Sequence, residues 1–397
     1  METIMRIFAT IAEYNPFHNG HVYHIEQMKS LGADAIVAVM SGNFVQRAEP
    51  AIVEKYARAN AAVKSGVDLV LELPVRHSIA TAEKFAEAGI YLINALGCID
   101  TFCCGSELNR EASIQKTAEI LQSTVFNNAI KRQIHLSPEI SFAKVRENIL
   151  HNLDVFAPIQ PNDILAVEYA KAIKKFSSPL HFKTIKRVGT YHMQKQANGF
   201  LGAEAIRKKL NQNGTPYIKE YVPAPVYETI VELKKVDACP ANIKYGERAL
   251  LGFMRTITPQ ILQNTAGATD GLWQRVMRAS KTACSIEELY TTAKTKRFAL
   301  SAIRRLVFSA FLTIQKADIL PAYIRVLAMN KHGAEILSVA KKTTTLPIIH
   351  TFTDKVCHSG IAKQYAQEEI HAGNLYGLFQ PQIGPCYREL TTYKKLL

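Results

Sequence analysis

The chain has 397 residues, 48% hydrophobic and 21% charged, with a formal net charge of +14. That length exceeds what one hydrophobic core ordinarily serves and points to two domains, with residue usage close to that of an average soluble protein. No apolar run reaches the roughly 18 residues needed to span a bilayer, and the start lacks the basic, apolar and small-residue sequence of a secretory leader.

Met5–Ala12 is β-branched and apolar and reads as a buried strand. Gly20–Ser30 reads as a helix with Val22, Ile25 and Met28 on one face, closed by Gly32. Ala35–Met40 is a second buried strand, Ala51–Ser65 a second helix, and Asp68–Leu73 a third strand stopped by Pro74. Thr81–Leu96 is a third helix followed by Gly97, and Ile99–Cys104 a fourth strand. Continuous apolar strands alternating with helices predict a parallel sheet covered on both faces. In such sheets ligands bind beyond the carboxyl ends of the strands, so Glu13–His21, Ser41–Pro50, Pro74–Thr81 and Gly105–Glu107 matter most. A further strand, His181–Lys186, leads to a loop with Arg187, Tyr191 and His192, and a helix starts near Gly202. Prolines 216, 223 and 225 cluster at a change of character. The boundary is therefore set there: residues 1–215 form an α/β catalytic domain, and residues 216–397 a mainly helical, basic one. There are seven cysteines and no CxxC pair, so no metal site is proposed and a reducing cytoplasm is expected.

Residues 13–21 read EYNPFHNGH, where the first strand passes into the first helix. His18 and His21 lie three apart and can share one side of the first turn. A helix N-terminus offers unpaired N–H groups and a partial positive charge, an anion site. Pro16 fixes the loop, Asn19 is the expected cap, and Gly20 removes a Cβ that would keep a ligand off the backbone. Two imidazoles beside a triphosphate suit adenylyl transfer, in which charge grows on the α-phosphate and the departing pyrophosphate. A histidine metal pair is the other reading, but no HExxH and no third ligand is evident.

EYNPFHNGH, with SGNFVQRAEPA at 41–51 and FCCGSE at 102–107, resembles the bacterial tRNA(Met) cytidine acetate ligases of the HxGH nucleotidylyltransferase superfamily. The resemblance continues through PNDILAVEY at 161–169, TIKRVGTYH at 184–192, KTKRFALSAIRR at 294–305, YIRVLAMN at 323–330 and LPII at 346–349. It implies a Rossmann-like sheet and a cytoplasmic enzyme that joins acetate to AMP, releases pyrophosphate, and acetylates N4 of the wobble cytidine of elongator tRNA(Met). It also implies ATP contacts from Ile11, Ala12, Glu13, Tyr14, Asn15, Pro16, Phe17, His18, Asn19, Gly20, His21, Val22, Tyr23 and His24, and from Gly105, Asn162 and Arg187. Mg2+ is expected to accompany ATP. From the residues alone, Gly105 allows close backbone approach and Arg187 is a fork-shaped phosphate donor, whereas Asn162 reads as an ordinary turn residue. Arg47 and Arg207 are further phosphate or substrate candidates, with an exposed loop arginine the plain alternative for Arg47. The chain departs from the family at LGAEAIR, 201–207, where Gly202 and Glu204 stand in place of hydroxyls. A glutamate there repels a triphosphate unless it turns outward. Ala48, Asp163, Phe298 and Ala299 are smaller departures.

From Gly271 to His350 about 13 Lys and Arg stand against about 4 Asp and Glu. Arg275, Arg278, Lys294, Lys296, Arg297, Arg304 and Arg305 are the expected tRNA contacts, with Arg297, Arg304 and Arg305 on one helix face. A solvated basic face without a ligand is the alternative. Trp273, Tyr290 and Phe298 are candidate stacking platforms that fit core positions better. Two rival functions are a small-molecule adenylyltransferase and a diverged RNA-binding relative that has lost adenylation. No membrane contact and no protein partner is evident in the residues.

Overall fold

A strand that is apolar on both faces has to be covered on both faces, and the first three strands meet that condition side by side. The computed structural model describes residues 5–136, 140, 142–153, 155–188 and 199–391. Its strands are β1 (Ile7–Ala12), β2 (Ala35–Ser41), β3 (Phe44–Val45), β4 (Glu49–Pro50), β5 (Leu69–Leu73), β6 (Thr101–Ser106), β7 (His181–Lys186), β8 (Ile324–Met329) and β9 (Ile348–Ile349). Seven of them form one sheet in the order β7-β6-β1-β2-β5-β8-β9, while β3 and β4 make a separate antiparallel pair. Within the large sheet only β5 and β8 run antiparallel. Alternate residues divide between two cores. Ile7, Ala9, Val37 and Val39 face the helix Ala82–Leu96. Phe8, Ile36, Ala38 and Met40 face the helices α1 (Asn19–Ser30) and α2 (Lys55–Lys64). The expected parallel α/β sheet is present, and strand order reverses between β1 and β6, which opens a crevice at their carboxyl ends.

Some boundaries differ from expectation for local reasons. β6 begins at Thr101, two residues later than expected, although Asp100 is already tied to both neighbours: its N–H bonds to the Ile7 carbonyl at 2.9 Å, its carbonyl accepts the His181 N–H at 3.0 Å, and its carboxylate accepts the Ile7 N–H at 2.7 Å. Gly105 and Ser106 lie in the strand, not after it, because they pair with Ile185 and Lys186 of β7. α2 begins at Lys55 because Glu54 before it is extended, at φ −61° and ψ 153°, and Asn43 holds the entry: its carbonyl accepts the Ala51 N–H and its Oδ1 the Lys55 N–H, both at 2.9 Å. Gly97 ends its helix at φ 70°, where a Cβ would stand 2.7 Å from the Thr343 carbonyl oxygen. Both the left-handed backbone and the close approach demand glycine there.

Helices Ile243–Thr256, Leu272–Thr282, Ile286–Ala293 and Leu300–Phe311 share a further core with Leu250, Met254, Val276, Leu289, Ile303 and Phe308. Phe44 of the β3–β4 hairpin enters that core, 5.9 Å from Phe308 and 5.8 Å from Phe379 between ring centroids. Two strands, β8 and β9, interrupt the helical pattern expected beyond residue 216, so the large sheet draws strands from both sides of position 215. Among the described residues no helix is long and apolar enough to cross a membrane.

β8 brings Arg325 into the interior, 1% exposed. Its guanidinium meets Glu72 and Glu389 at 2.8 Å each and donates to the Tyr56 hydroxyl at 2.6 Å. Lys55 reaches the same two carboxylates at 2.5 and 2.9 Å and Glu369 at 3.5 Å. Burial and the neighbouring Glu72 push the Glu369 carboxyl well above the usual range. Removing one member of a buried ionic group strands its partners in a low-dielectric interior, a loss of about 3–5 kcal/mol. Arg325→Met is expected to lower the unfolding free energy by that amount, read as a lower urea midpoint at unchanged m-value. An unchanged midpoint would show that the cluster adds nothing to stability.

Candidate active site

The first helix starts with two donors in search of acceptors, and each finds a histidine. His18 is extended, at φ −141° and ψ 172°, and serves as the N-cap of α1. Its Nδ1 accepts the backbone N–H of Gly20 at 3.1 Å. Three residues on, His21 Nδ1 accepts the backbone N–H of His18, also at 3.1 Å. The arrangement is a capping box built from imidazoles. It corrects the expectation for Asn19, which is the first helical residue instead. The Asn19 side chain donates to the Gly199 and Glu220 carbonyls at 3.0 and 2.9 Å, and its N–H bonds to the Tyr221 carbonyl at 3.0 Å. Gly20 also has a nearer reason than ligand approach, because a Cβ there would lie 2.8 Å from His18 Cε1.

These bonds fix the chemistry of both rings. A nitrogen that accepts a backbone N–H carries no proton, so in each neutral ring the hydrogen is on Nε2. The rings stack with centroids 3.8 Å apart and planes 27° from parallel. Tyr14 and Phe17 hold the His21 ring at centroid distances of 4.9 and 5.2 Å. Burial first, then Arg187 and Arg207, lowers the His18 imidazole to about 3. Burial, His18 and Arg187 drive His21 well down, and burial with Arg187 lowers His24 to about 4. Two Nε2–H donors and permanent guanidinium charge thus share one place, with no charge on the imidazoles at neutral pH.

Gly105, Asn162 and Arg187 also come together across the crevice. Arg187 N–H bonds to the Ser106 carbonyl at 3.0 Å, and its guanidinium reaches Asn162 Oδ1 at 3.4 Å. A Cβ on Gly105 would come within 3.3 Å of Arg187 Cγ, so the glycine lets that side chain lie over the strand end. Glu107 holds Asn162 from the other side. It accepts from Asn162 Nδ2 at 2.5 Å and from Asp163 N–H at 3.1 Å. Asp163, fully buried, in turn accepts from Ser106 Oγ and from Glu107 N–H. The sequence marks Glu107 only as the last residue of the segment Gly105–Glu107 and gives it no role of its own; the role comes from its bonds to Asn162 and Asp163.

Glu204 is 62% exposed and its carboxylate meets Arg47 at 2.8 Å. Arg207 donates to the Asn15 carbonyl at 2.8 Å and lies 3.5 Å from Glu49. Glu13 accepts the Gln46 N–H at 3.0 Å. Tyr191 and His192 lie outside the described residues. In the basic region Arg278, Lys294, Lys296 and Arg297 are exposed, and Arg304 and Arg305 half-buried. The expected shared face is corrected: the helix begins at Leu300, so Arg297 lies in the preceding loop, where Thr295 Oγ1 accepts the Phe298 N–H at 3.0 Å. Arg275 donates to the Ala293 and Thr292 carbonyls at 3.1 and 3.4 Å, and Arg304 lies over the Tyr290 ring at 5.5 Å. Tyr290 is a core residue.

The histidines make stability depend on pH with a definite sign. In the unfolded chain each protonates near its ordinary value of about 6.5. Folded, His18 and His24 stay neutral down to about 3 and about 4. Below about pH 6.5 the unfolded state therefore binds protons that the fold refuses, and stability falls as pH drops. His24→Gln is expected to flatten part of that fall between pH 6.5 and 4.5, measured by urea denaturation; an unaltered slope would contradict a neutral His24.

Residues 5–388 match the family of the HIGH nucleotidyl transferases. A tRNA(Met) cytidine acetate ligase of Thermoanaerobacter pseudethanolicus is 37% identical over 358 residues, 87% of this chain and 88% of that protein. One from Thermosipho africanus is 35% identical over 410 residues, 95% of this chain and 96% of that protein. The crystal structure of Thermotoga maritima TmcAL bound with alpha-thio ATP superposes with a TM-score of 0.90 at 29% identity, covering 99% of this chain and 100% of that one. The chain belongs to the HIGH nucleotidyl transferase family and, within it, to the group of the tRNA(Met) cytidine acetate ligases.

Proposed function

We propose that this protein is an ATP-dependent ligase that forms acetyl-adenylate from acetate and ATP. It then passes the acetyl group to N4 of the wobble cytidine of elongator tRNA(Met). The observation that carries the reading is the pair of stacked imidazoles at the mouth of α1, both with Nε2–H available, in the crevice where strand order reverses. Relatives named for this activity match along nearly the whole chain.

In the first half-reaction an acetate oxygen attacks the α-phosphorus and the bond to pyrophosphate breaks. Charge grows on the equatorial oxygens and on the leaving group. The fixed Nε2–H groups of His18 and His21 stabilise it without transferring a proton, and Arg187 adds a permanent positive charge. Mg2+ arrives as part of the ATP substrate. Gly105 leaves room for the nucleoside, and Asn162, oriented by Glu107, reads a ribose or base edge. The loop from Ile11 to His24 surrounds the nucleotide. Arg47, paired with Glu204, and Arg207, committed to Asn15 and Glu49, line the same mouth. In the second half-reaction the cytidine amine attacks the acyl carbon, AMP departs with the electron pair of the C–O bond, and the amine releases a proton.

The tRNA contact is assigned to the basic helices. Arg278 and, in the loop between two helices, Lys294, Lys296 and Arg297 are exposed and suit phosphate contact, while Arg275, Arg304 and Arg305 belong to the flanking helices. Acetate-dependent ATP–pyrophosphate exchange tests the first half-reaction directly. A fixed donor to the transition state is worth on the order of 3 kcal/mol, so His21→Ala is expected to lower exchange at least about tenfold. A near wild-type rate would remove His21 from the mechanism, and no exchange in the wild-type chain would remove the ligase reading. For RNA, each lost phosphate contact takes roughly 0.7 from the slope of log affinity against log salt. Alanine at Lys294, Lys296 and Arg297 together is expected to weaken tRNA(Met) binding and lower that slope by roughly 2. An unchanged slope would place the RNA elsewhere.

A further inference from the structure

Arg58 lies on the buried face of α2 and is 3% exposed. Its guanidinium has no carboxylate within ion-pair distance among the described residues; its partners are main-chain carbonyls from three separate segments. Nε donates to Val53 at 2.8 Å, Nη1 to Glu13 at 2.5 Å, and Nη2 to Ser41 at 3.1 Å and to Gly42. Glu13 opens the histidine-bearing loop directly after β1, and Ser41 and Gly42 stand at the end of β2. Burial lowers the guanidinium to about 10, so it remains charged at neutral pH. The loop is held on its other side by Asn15, whose Oδ1 accepts the Ile52 N–H at 2.9 Å and whose carbonyl accepts from Arg207 at 2.8 Å.

We infer that Arg58 is a positioning residue for the nucleotide-binding loop: one planar fork, bonded to both strand ends, sets where His18 and His21 present their Nε2–H groups. The inference rests on the ATP reading proposed above. The fork geometry is what makes the assignment specific to arginine. Guanidinium donors leave from three nitrogens in a fixed plane and bridge two loops at once, whereas an ammonium is a single point of charge. Lysine at this place keeps the charge and loses the bridge. Reaction rates that depend on donors aimed at a developing charge are sensitive to displacements of about 1 Å, so a loosened loop lowers turnover before it lowers stability.

The test compares Arg58→Lys with Arg325→Lys, equally buried but bonded to neither loop. Both full-length variants are measured for melting temperature, acetate-dependent ATP–pyrophosphate exchange, and ATP affinity by calorimetry. Arg58→Lys is expected to lower the exchange kcat at least tenfold, with Arg325→Lys within twofold of wild type despite an equal or larger loss of melting temperature. Combined with His21→Ala, Arg58→Lys is expected to add less than threefold, because it acts through the histidines. A wild-type kcat in Arg58→Lys, an equal loss in Arg325→Lys, or full multiplication of effects in the double variant each overturns the assignment. So does an Arg58→Lys chain that fails to fold while Arg325→Lys folds, since the residue then serves the fold. If wild-type protein neither binds ATP nor exchanges pyrophosphate, the ATP reading has failed on its own. Hydrogen exchange at residues 13–21 then decides the loop role: faster exchange in Arg58→Lys supports it, and unchanged exchange ends it.

Discussion

A peptide N–H at the start of a helix has no partner in its own helix, and in this protein two such donors are answered by the two histidines proposed to serve catalysis. Because Gly20 N–H occupies His18 Nδ1 and His18 N–H occupies His21 Nδ1, neither ring is free to turn over or to exchange its tautomer without breaking the cap. The loop, the helix and the state of the imidazoles are therefore one structure. The stacking of the rings and the depression of their basicity follow from the same placement, since burial beside Arg187 makes a second positive charge costly. The two imidazoles do not sit on the scaffold; they close it.

Around that point the fold supplies position from several directions. Strand order reverses beside β1, which leaves the crevice. The end of β6, where Gly105 admits the Arg187 side chain, forms its far wall, and Glu107 and Asp163 lock Asn162 there through reciprocal bonds. The β3–β4 hairpin inserts Phe44 into the helical core, which couples the loop after β2 to the basic helices through packed aromatic rings. The ion cluster of Lys55, Arg325, Glu72, Glu369 and Glu389 joins α2 and β5 to the carboxyl-terminal strands and helices.

What could be read in advance was what depends on neighbours in sequence. Runs such as Ala35–Met40 carry their own instruction, because a continuous apolar strand has one environment in which it is satisfied. The two histidines and their spacing were visible for the same reason. What escaped depended on partners far away in the chain. Arg325 breaks the apolar run Ile324–Met329, and only Glu72 and Glu389, distant in sequence, make a buried arginine acceptable in a strand. Asn19 had the composition of a cap, but a histidine one place earlier could accept the same N–H and also be capped in turn. Arg58 stands among alanines in its helix with no local mark of its role; the carbonyls that claim it belong to other segments. Arg297 fell outside the helix because a threonine turn delays its start.

The place of β8 in the sheet bears on how the molecule is made. Its neighbour β5 is complete by Leu73, yet the strand that covers β5's outer edge begins only at Ile324. Until that later stretch is synthesised, the amino-terminal half holds an unpaired row of backbone groups, and Glu72 lacks its arginine. The sheet is finished only after the basic helices have already been built, so the outer edge of β5 stays open through most of the chain's synthesis.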